Sequence, residues 1–164
     1  MPTSEDELEA RRWEMLRWAP RHDSGALYYP GHDGEVWVQS VATVVPFLVV
    51  TGDFAPADMQ YRMHREHLWH PATGLYGERY DVDNARWVTQ EPTAVGNASV
   101  AVGLATALRT GGDATPSEMR GRWIRETNAL LEAISALELD DESRSLLEEA
   151  TAIGTIDGWL RGQP

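Results

Sequence analysis

The sequence predicts an all-α fold built from helical hairpins. Three observations lead there. Apolar residues recur at helical spacing in six segments. Clusters of Gly, Pro, Asp and Asn punctuate those segments. No strand-rich region and no low-complexity tail interrupts them.

Taken in order, Ser4-Glu-Asp-Glu7 reads as a capping box, and the helix it opens runs to about Trp18 and stops before Pro20. Residues 21–34 are rich in Gly, Asp and Pro and read as a loop. The run EVWVQSVATVVPFLVVTG follows, apolar nearly all round, as a helix over about 36–51 with Pro46 inside it. A third helix is expected over about 57–69, with Pro56 at its first position and Met59, Met63, His67 and Leu68 on one face. His70 to Gly74 is a turn. Residues 75–91 form an irregular stretch or a short hairpin turning at Asp81 to Asn84. Small and apolar residues make a fourth helix over about 94–109. A fifth, from Thr115-Pro116 to about Leu137, carries the stripe Met119, Trp123, Leu130, Leu131 and Ile134. Asp140 or Asp141 caps a sixth, which continues through Leu160.

A chain of 164 residues fits one α-helical domain. Its net charge of −12 argues against a nucleic-acid partner and against adhesion to an anionic membrane. The absence of cysteine excludes disulfides, thiolate catalysis and cysteine-based zinc sites. No apolar core of a signal peptide opens the sequence. Gln39, Ser40, Thr43 and Pro46 break the one long apolar run, which is too short to span a bilayer. A soluble cytoplasmic protein is expected.

Three blocks resemble the glycoside hydrolase families 88 and 105, the unsaturated glucuronyl and rhamnogalacturonyl hydrolases. They are DSGALYYPGHDGEVWVQSVATVVPFLVVTGD, LWHPATGLYGERYD and AVGNASVAVGLATAL, in family order within a span of about half of the chain. The resemblance implies part of an α/α toroid, about half of one, with a central site. It also implies hydration of an unsaturated uronide by an Asp general acid/base, aromatic stacking on the sugar, and no metal or nucleotide cofactor. The sequence departs from the pattern at the chemistry. Gln39 stands where the family has Asp, Glu78 where it has His, and Thr93 and Ser99 where it has Trp. Val95 replaces an Arg that meets the substrate carboxylate in many members. An amide has no titratable proton near neutral pH, so Gln39 cannot be the general acid.

Candidate ligand-binding residues are Gln39, Thr43, Trp37, Tyr28, Tyr29, His32 and Asn97, and the candidate acids for proton transfer are Asp33, Glu35 and Glu78. Each has a plainer reading beside the functional one. Gln39 is either a buried amide satisfied by a neighbouring helix or a group that orients a ligand. Asp33 and Glu35 either cap the helix and favour its dipole or, with His32, form a proton-transfer pair at a pocket mouth. Trp37, Trp69 and Trp87 stack on a ligand or pack between helices. His64, His67 and His70 read as surface or core histidines rather than metal ligands. Asp81-Val-Asp83-Asn84 reads as a turn rather than a calcium loop. No metal site and no cofactor are expected.

Three functions fit this reading. One is a small-molecule-binding protein or divergent enzyme on a reduced toroid, its ligand a sugar or a biosynthetic intermediate. A second is a glycosidase that still acts on unsaturated uronides. The third is a non-catalytic homodimer that buries exposed flanks.

Overall fold

The computed structural model describes residues 4–160. Helix α1, Ser4–Trp13, carries acids in its first turn and Arg11 and Arg12 in its last, as the helix dipole favours, and continues as a π-helical turn, Glu14–Trp18. Ser4, the expected cap, is itself helical, so the capping position lies outside the described residues. None of the α1 side chains is buried. The helix is tied to the body by Arg12, which donates to both carboxylate oxygens of Asp53 at 2.7 and 2.8 Å.

The long apolar run divides. Glu35–Trp37 is a strand, β1, and the helix α2 is Val38–Val50. β1 pairs antiparallel with β4, Arg79–Asp81, which pairs with β5, Arg86–Thr89. The expectation of helix from Val36 is thus corrected: residues 35–37 exchange their backbone bonds with a strand distant in sequence. Asp33 therefore does not cap α2, and Glu35 does not sit at its dipole. The Val38 N–H instead donates to the Glu78 carbonyl at 2.9 Å.

Helix α3, Phe54–Leu68, starts three residues before the predicted Ala57. Its buried face is Ala57, Gln60, Tyr61, His64 and Leu68, so of the predicted stripe only Leu68 is buried. Gln60 points inward because the loop before α2 needs partners. Its Oε1 accepts from the Leu27 N–H at 3.0 Å and its Nε2 donates to the Gly25 carbonyl at 2.7 Å. Trp69–His70 and Leu75–Tyr76 then form β2 and β3, paired around a tight turn. The β4–β5 hairpin turns at residues 82–85. Asp81 accepts from the backbone and side-chain amides of Asn84, and Ala85 takes a left-handed φ of 50°. The acidic sequence there is a turn and not a cation loop.

Thr93 caps helix α4, Ala94–Gly111, by accepting from the Gly96 N–H at 3.0 Å. Helix α5, Ser117–Ser135, buries Met119, Trp123, Leu130, Leu131 and Ile134, the stripe its period predicts. Asp140 caps helix α6, Asp141–Ile156, through the Ser143 N–H at 2.8 Å. The chain then reverses at Gly158, φ 74°, instead of continuing as helix to Leu160, and seats Trp159 against Gly154.

α2 packs along α4, and α4 along α6, while α3 backs α2 and α5 backs α4. The result is an arc of helical hairpins with three inner helices. The α2–α4 crossing is tight enough that a Cβ on Gly103 would stand 2.7 Å from the Ala42 Cα. No helix among the described residues is long and apolar enough to cross a membrane.

Candidate functional site

A cleft of about 480 Å³ lies between the α1 and π-turn segment, the loop of residues 21–34 and the first three turns of α2. Four predicted residues line it: Tyr28, Tyr29, Gln39 and Thr43. Gln39, Thr43 and Phe47 are four residues apart, so α2 presents them as one stripe. The opposite wall comes from Arg11, Glu14 and Met15, which the sequence reading did not include. Nothing in their local pattern marks them, because only the docking of α1 through Asp53 brings them to α2.

Gln39 is held from behind. Its Nε2 donates to Glu78 Oε2 at 3.3 Å, and its own Oε1 is buried without a partner. Glu78 is buried, and its Oε1 accepts from the Thr93 hydroxyl at 2.5 Å and the Thr93 N–H at 3.3 Å. It does not reach the cleft. The Thr43 hydroxyl is exposed and donates back to the Gln39 carbonyl at 3.2 Å. Tyr28 donates to Asp83 Oδ1 at 2.8 Å. Burial first and that carboxylate second push the Tyr28 phenol up to about 12, so it stays a neutral donor at physiological pH.

The remaining candidates gather elsewhere. Tyr29 stacks on Trp37 with ring centroids 3.8 Å apart, His32 tilts against the same indole, and the Arg79 guanidinium lies 4.1 Å from its centroid. Trp37 donates to Glu35 Oε2 at 2.7 Å, and Arg79 donates to the same oxygen at 2.8 Å. Burial acts to raise the Glu35 pKa. The bonds from Arg79 and Trp37 outweigh it and hold the carboxyl below its ordinary value. Glu35 is therefore an ionised partner of Arg79 and not a proton donor near neutrality. Asp33 is exposed on the loop, off the cleft.

Asn97 is fully buried and spent on the backbone. Its Oδ1 accepts from the Tyr76 N–H at 2.7 Å, and its Nδ2 donates to the Tyr76 and Thr93 carbonyls, both at 2.9 Å. It locks β3 to α4 and does not face a ligand. Replacing it with Ala strips a buried strand residue of both its partners. Urea denaturation is expected to register a loss of about 2–4 kcal/mol, with each orphaned group costing about 1–3. A loss below half a kcal/mol would mean that water takes over these bonds.

The three spaced histidines part company. His64 is in the core, His67 stacks on Tyr80, and His70 stacks on Trp87. Trp69 packs against Tyr76 and under Arg65, and Trp87 also meets Tyr80 edge-on, so both are packing residues. No group of three or more His, Asp or Glu among the described residues could hold a metal.

The arc with its cleft against the first inner helix defines the chain as half of an α/α toroid. Comparison with solved structures gives the same architecture. A family 105 glycoside hydrolase from C. acetobutylicum aligns with TM-score 0.80 and 14% identity, over 95% of this chain and 52% of the other. A possible member of the same family from Salmonella enterica aligns with TM-score 0.77 and 14% identity, over 94% and 48%. An endo-β-1,4-glucanase from Acetobacter xylinum aligns more loosely, with TM-score 0.56 and 19% identity, over 75% and 37%. The chain thus spans about half the length of the family 105 structures that it matches, and at this identity the likeness is one of fold. No protein-family model and no curated protein matches the sequence.

Proposed function

We propose that this chain is a small-molecule-binding protein on a glycosidase-like half-toroid, with its ligand seated over Gln39 and Thr43. The observation that carries the reading is the cleft itself, which joins an amide and hydroxyls to Tyr28, Tyr29 and Phe47. Concave sites of this size with a few polar groups among apolar walls are typical of small-ligand pockets. One cation, Arg11, faces one anion, Glu14, so the lining favours a neutral or zwitterionic ligand. A sugar, with an apolar face and a hydroxyl edge, fits such walls. A ligand hydroxyl would also satisfy the unpartnered Gln39 Oε1 once that side chain turns toward the cleft.

Binding is favoured over hydrolysis by the carboxylates. Most glycosidases place two carboxyl groups roughly 5–10 Å apart across the scissile bond. Here, among the described residues, Glu14 is the one carboxylate lining the cleft, and it is exposed.

Calorimetry with a panel of neutral and unsaturated-uronyl mono- and disaccharides tests the proposal. At least one is expected to bind, and Thr43→Trp, which fills the cleft from an exposed position, is expected to weaken it at least tenfold. Binding that ignores Thr43→Trp, or no binding at all, would overturn this assignment. A mass-spectrometric assay of the same uronides, on the native chain and on Gln39→Asp, is expected to show no turnover by either. Turnover by the native chain would replace the binding reading with the hydrolase.

A further inference from the structure

Three of the polar side chains that line the cleft share one polarity. Gln39 Nε2 donates to Glu78 Oε2 at 3.3 Å, the Tyr28 hydroxyl to Asp83 Oδ1 at 2.8 Å, and the Thr43 hydroxyl to the Gln39 carbonyl at 3.2 Å. Each partner is a carboxylate or a carbonyl oxygen, and such groups only accept. Glu78 therefore fixes which end of the amide is which: the nitrogen is taken, and Oε1 is the end left for a ligand. Glu78 is itself anchored. Its other oxygen accepts from the Thr93 hydroxyl and N–H, and it lies so close to α4 that a Cβ on Gly96 would collide with it.

The backbone around the cleft adds few donors. The N–H groups of Ala19, Leu27, Tyr28 and Tyr29 are bonded to the Glu14 carbonyl, Gln60 Oε1, the Pro20 carbonyl and the Glu35 carbonyl, and Pro30 has none. The amides of α2 run along the helix axis toward β1 and not sideways into the cleft. The Tyr29 and Ser40 hydroxyls can either donate or accept. Arg11 is the one cation on the lining among the described residues, and its guanidinium lies 5.6 Å from the Phe47 ring centroid. Its charge is offset by that of Glu14, and the net charge of −12 on the whole chain then favours a cation over an anion.

We propose that the ligand of this cleft is an aminated sugar, whose ammonium and hydroxyl groups donate to Gln39 Oε1 and to the Tyr28 and Thr43 hydroxyl oxygens. The inference rests on the reading that a small molecule sits over Gln39 and Thr43, and it names the class of that molecule. An ammonium carries three donors and no acceptor, which complements lining groups whose own donors are spent. A carboxylate carries acceptors alone and would leave those same groups unpaired. Gln39 and Glu78 thus act together: Gln39 meets the ligand, and Glu78 is the positioning residue that sets the polarity of its amide.

Calorimetry with D-glucosamine, D-glucose and D-glucuronate, buffered where the amine is protonated, tests this. Glucosamine is expected to bind about tenfold more tightly than glucose, and glucuronate more weakly than either. Two substitutions each reverse one polarity. In Glu78→Gln the new amide can donate to Gln39 Oε1 and still accept from Thr93. In Asp83→Asn, on the exposed turn, it can donate to the Tyr28 oxygen. The preference for glucosamine over glucose is expected to fall about threefold in each, with an unchanged circular dichroism spectrum. A purely structural role would weaken both sugars alike and leave the preference where it was. If Glu78→Gln does not fold, Asp83→Asn alone decides. A preference unchanged in the folded variants overturns the proposal, as does the absence of glucosamine binding. Glucose or glucuronate binding as tightly as glucosamine also overturns it, and if Thr43→Trp abolishes that binding, the small-molecule reading stands without this one. Glucosamine binding that ignores Thr43→Trp overturns both.

Discussion

Gly103→Val is expected to abolish folding, and Gly103→Ala to cost about 1–2 kcal/mol net. The cause is the α2–α4 crossing. A Cβ at position 103 would stand 2.7 Å from the Ala42 Cα, 3.0 Å from its carbonyl oxygen and 3.2 Å from its carbonyl carbon. All three are backbone atoms of another helix, so no side-chain rotation relieves the clash. Relief requires α2 and α4 to separate along the main packing contact of the arc, and overpacking of that kind costs about 1–3 kcal/mol or more. Helix propensity works the other way, favouring Ala over Gly by about 1 kcal/mol in a helix interior. The steric cost is the larger, so the net sign is destabilising. Pro46 contributes to the fit: it has no N–H, so the Ala42 carbonyl lacks its usual partner four residues on. That carbonyl oxygen faces Gly103 instead, 3.0 Å from where a Cβ at that position would stand. Urea denaturation of the two variants measures the crossing. Native-like stability in Gly103→Ala would show that the helices can part at little cost.

Acidification is expected to remove roughly 3 kcal/mol of stability between pH 6.5 and about 4, through His64. The imidazole is 1% exposed. Its Nδ1 lies 2.8 Å from the Gln60 carbonyl, and its Nε2 has no partner. Burial lowers its pKa to about 4. The Gln60 carbonyl opposes the shift, and His67 adds slightly to it. The sign follows directly. The unfolded chain takes up a proton near pH 6.5, and the folded chain does so only near pH 4. The stabilisation is therefore complete above 6.5 and lost as pH falls through that window, at about 1.4 kcal/mol per pH unit. The paired carboxylates act lower on the scale. Bonds from Arg12 hold Asp53 below its ordinary value, and bonds from Arg79 and Trp37 do the same for Glu35. Their contribution fades below about pH 4–4.5, where unfolded carboxyls begin to protonate. His64→Leu is expected to flatten the melting temperature between pH 7 and 4.5 and to leave the steeper loss below it. A variant with the native slope across that window would exclude His64 as the cause.

How well each part could be read from sequence depended on where its constraint lay. α5 was legible because its stripe is apolar at a strict helical period, and period alone picks the buried face. α6 was legible at its start because Asp140 caps it locally. On α3 the same reasoning chose Met59 and Met63, but the inward face carries Gln60 and His64. A polar side chain turns inward there because loop backbone 33 and 35 residues away needs its amide. β1 escaped notice for a related reason. Three residues are too few to show alternation, and their extended state is fixed by a hairpin more than forty positions downstream.

The cleft divides in the same way. Gln39 and Thr43 were legible as polar residues one turn apart on an apolar helix, and the resemblance marked Gln39. His32, Trp37, Asp33 and Glu35 were chosen for chemical type and nearness in sequence, and Glu78 and Asn97 for their places in the blocks that carry the resemblance; neither ground says which partner a side chain finds. Asn97 found the Tyr76 backbone, Glu35 found Arg79, and Glu78 found Gln39 and Thr93.

By itself, then, the sequence determined the all-α class, six helices, the buried second helix and the family whose fold the arc shares. These rest on periodicity, local capping and ordered motifs, all of which are properties of neighbouring residues. Only the tertiary structure decided that residues 35–37 are strand, that α1 supplies the second wall of the cleft, and that most candidate acids are engaged elsewhere. Those outcomes depend on hydrogen bonds and ion pairs between residues distant in the chain. Such pairs form only after the backbone has brought them within about 3 Å, a distance that spacing along the sequence does not encode.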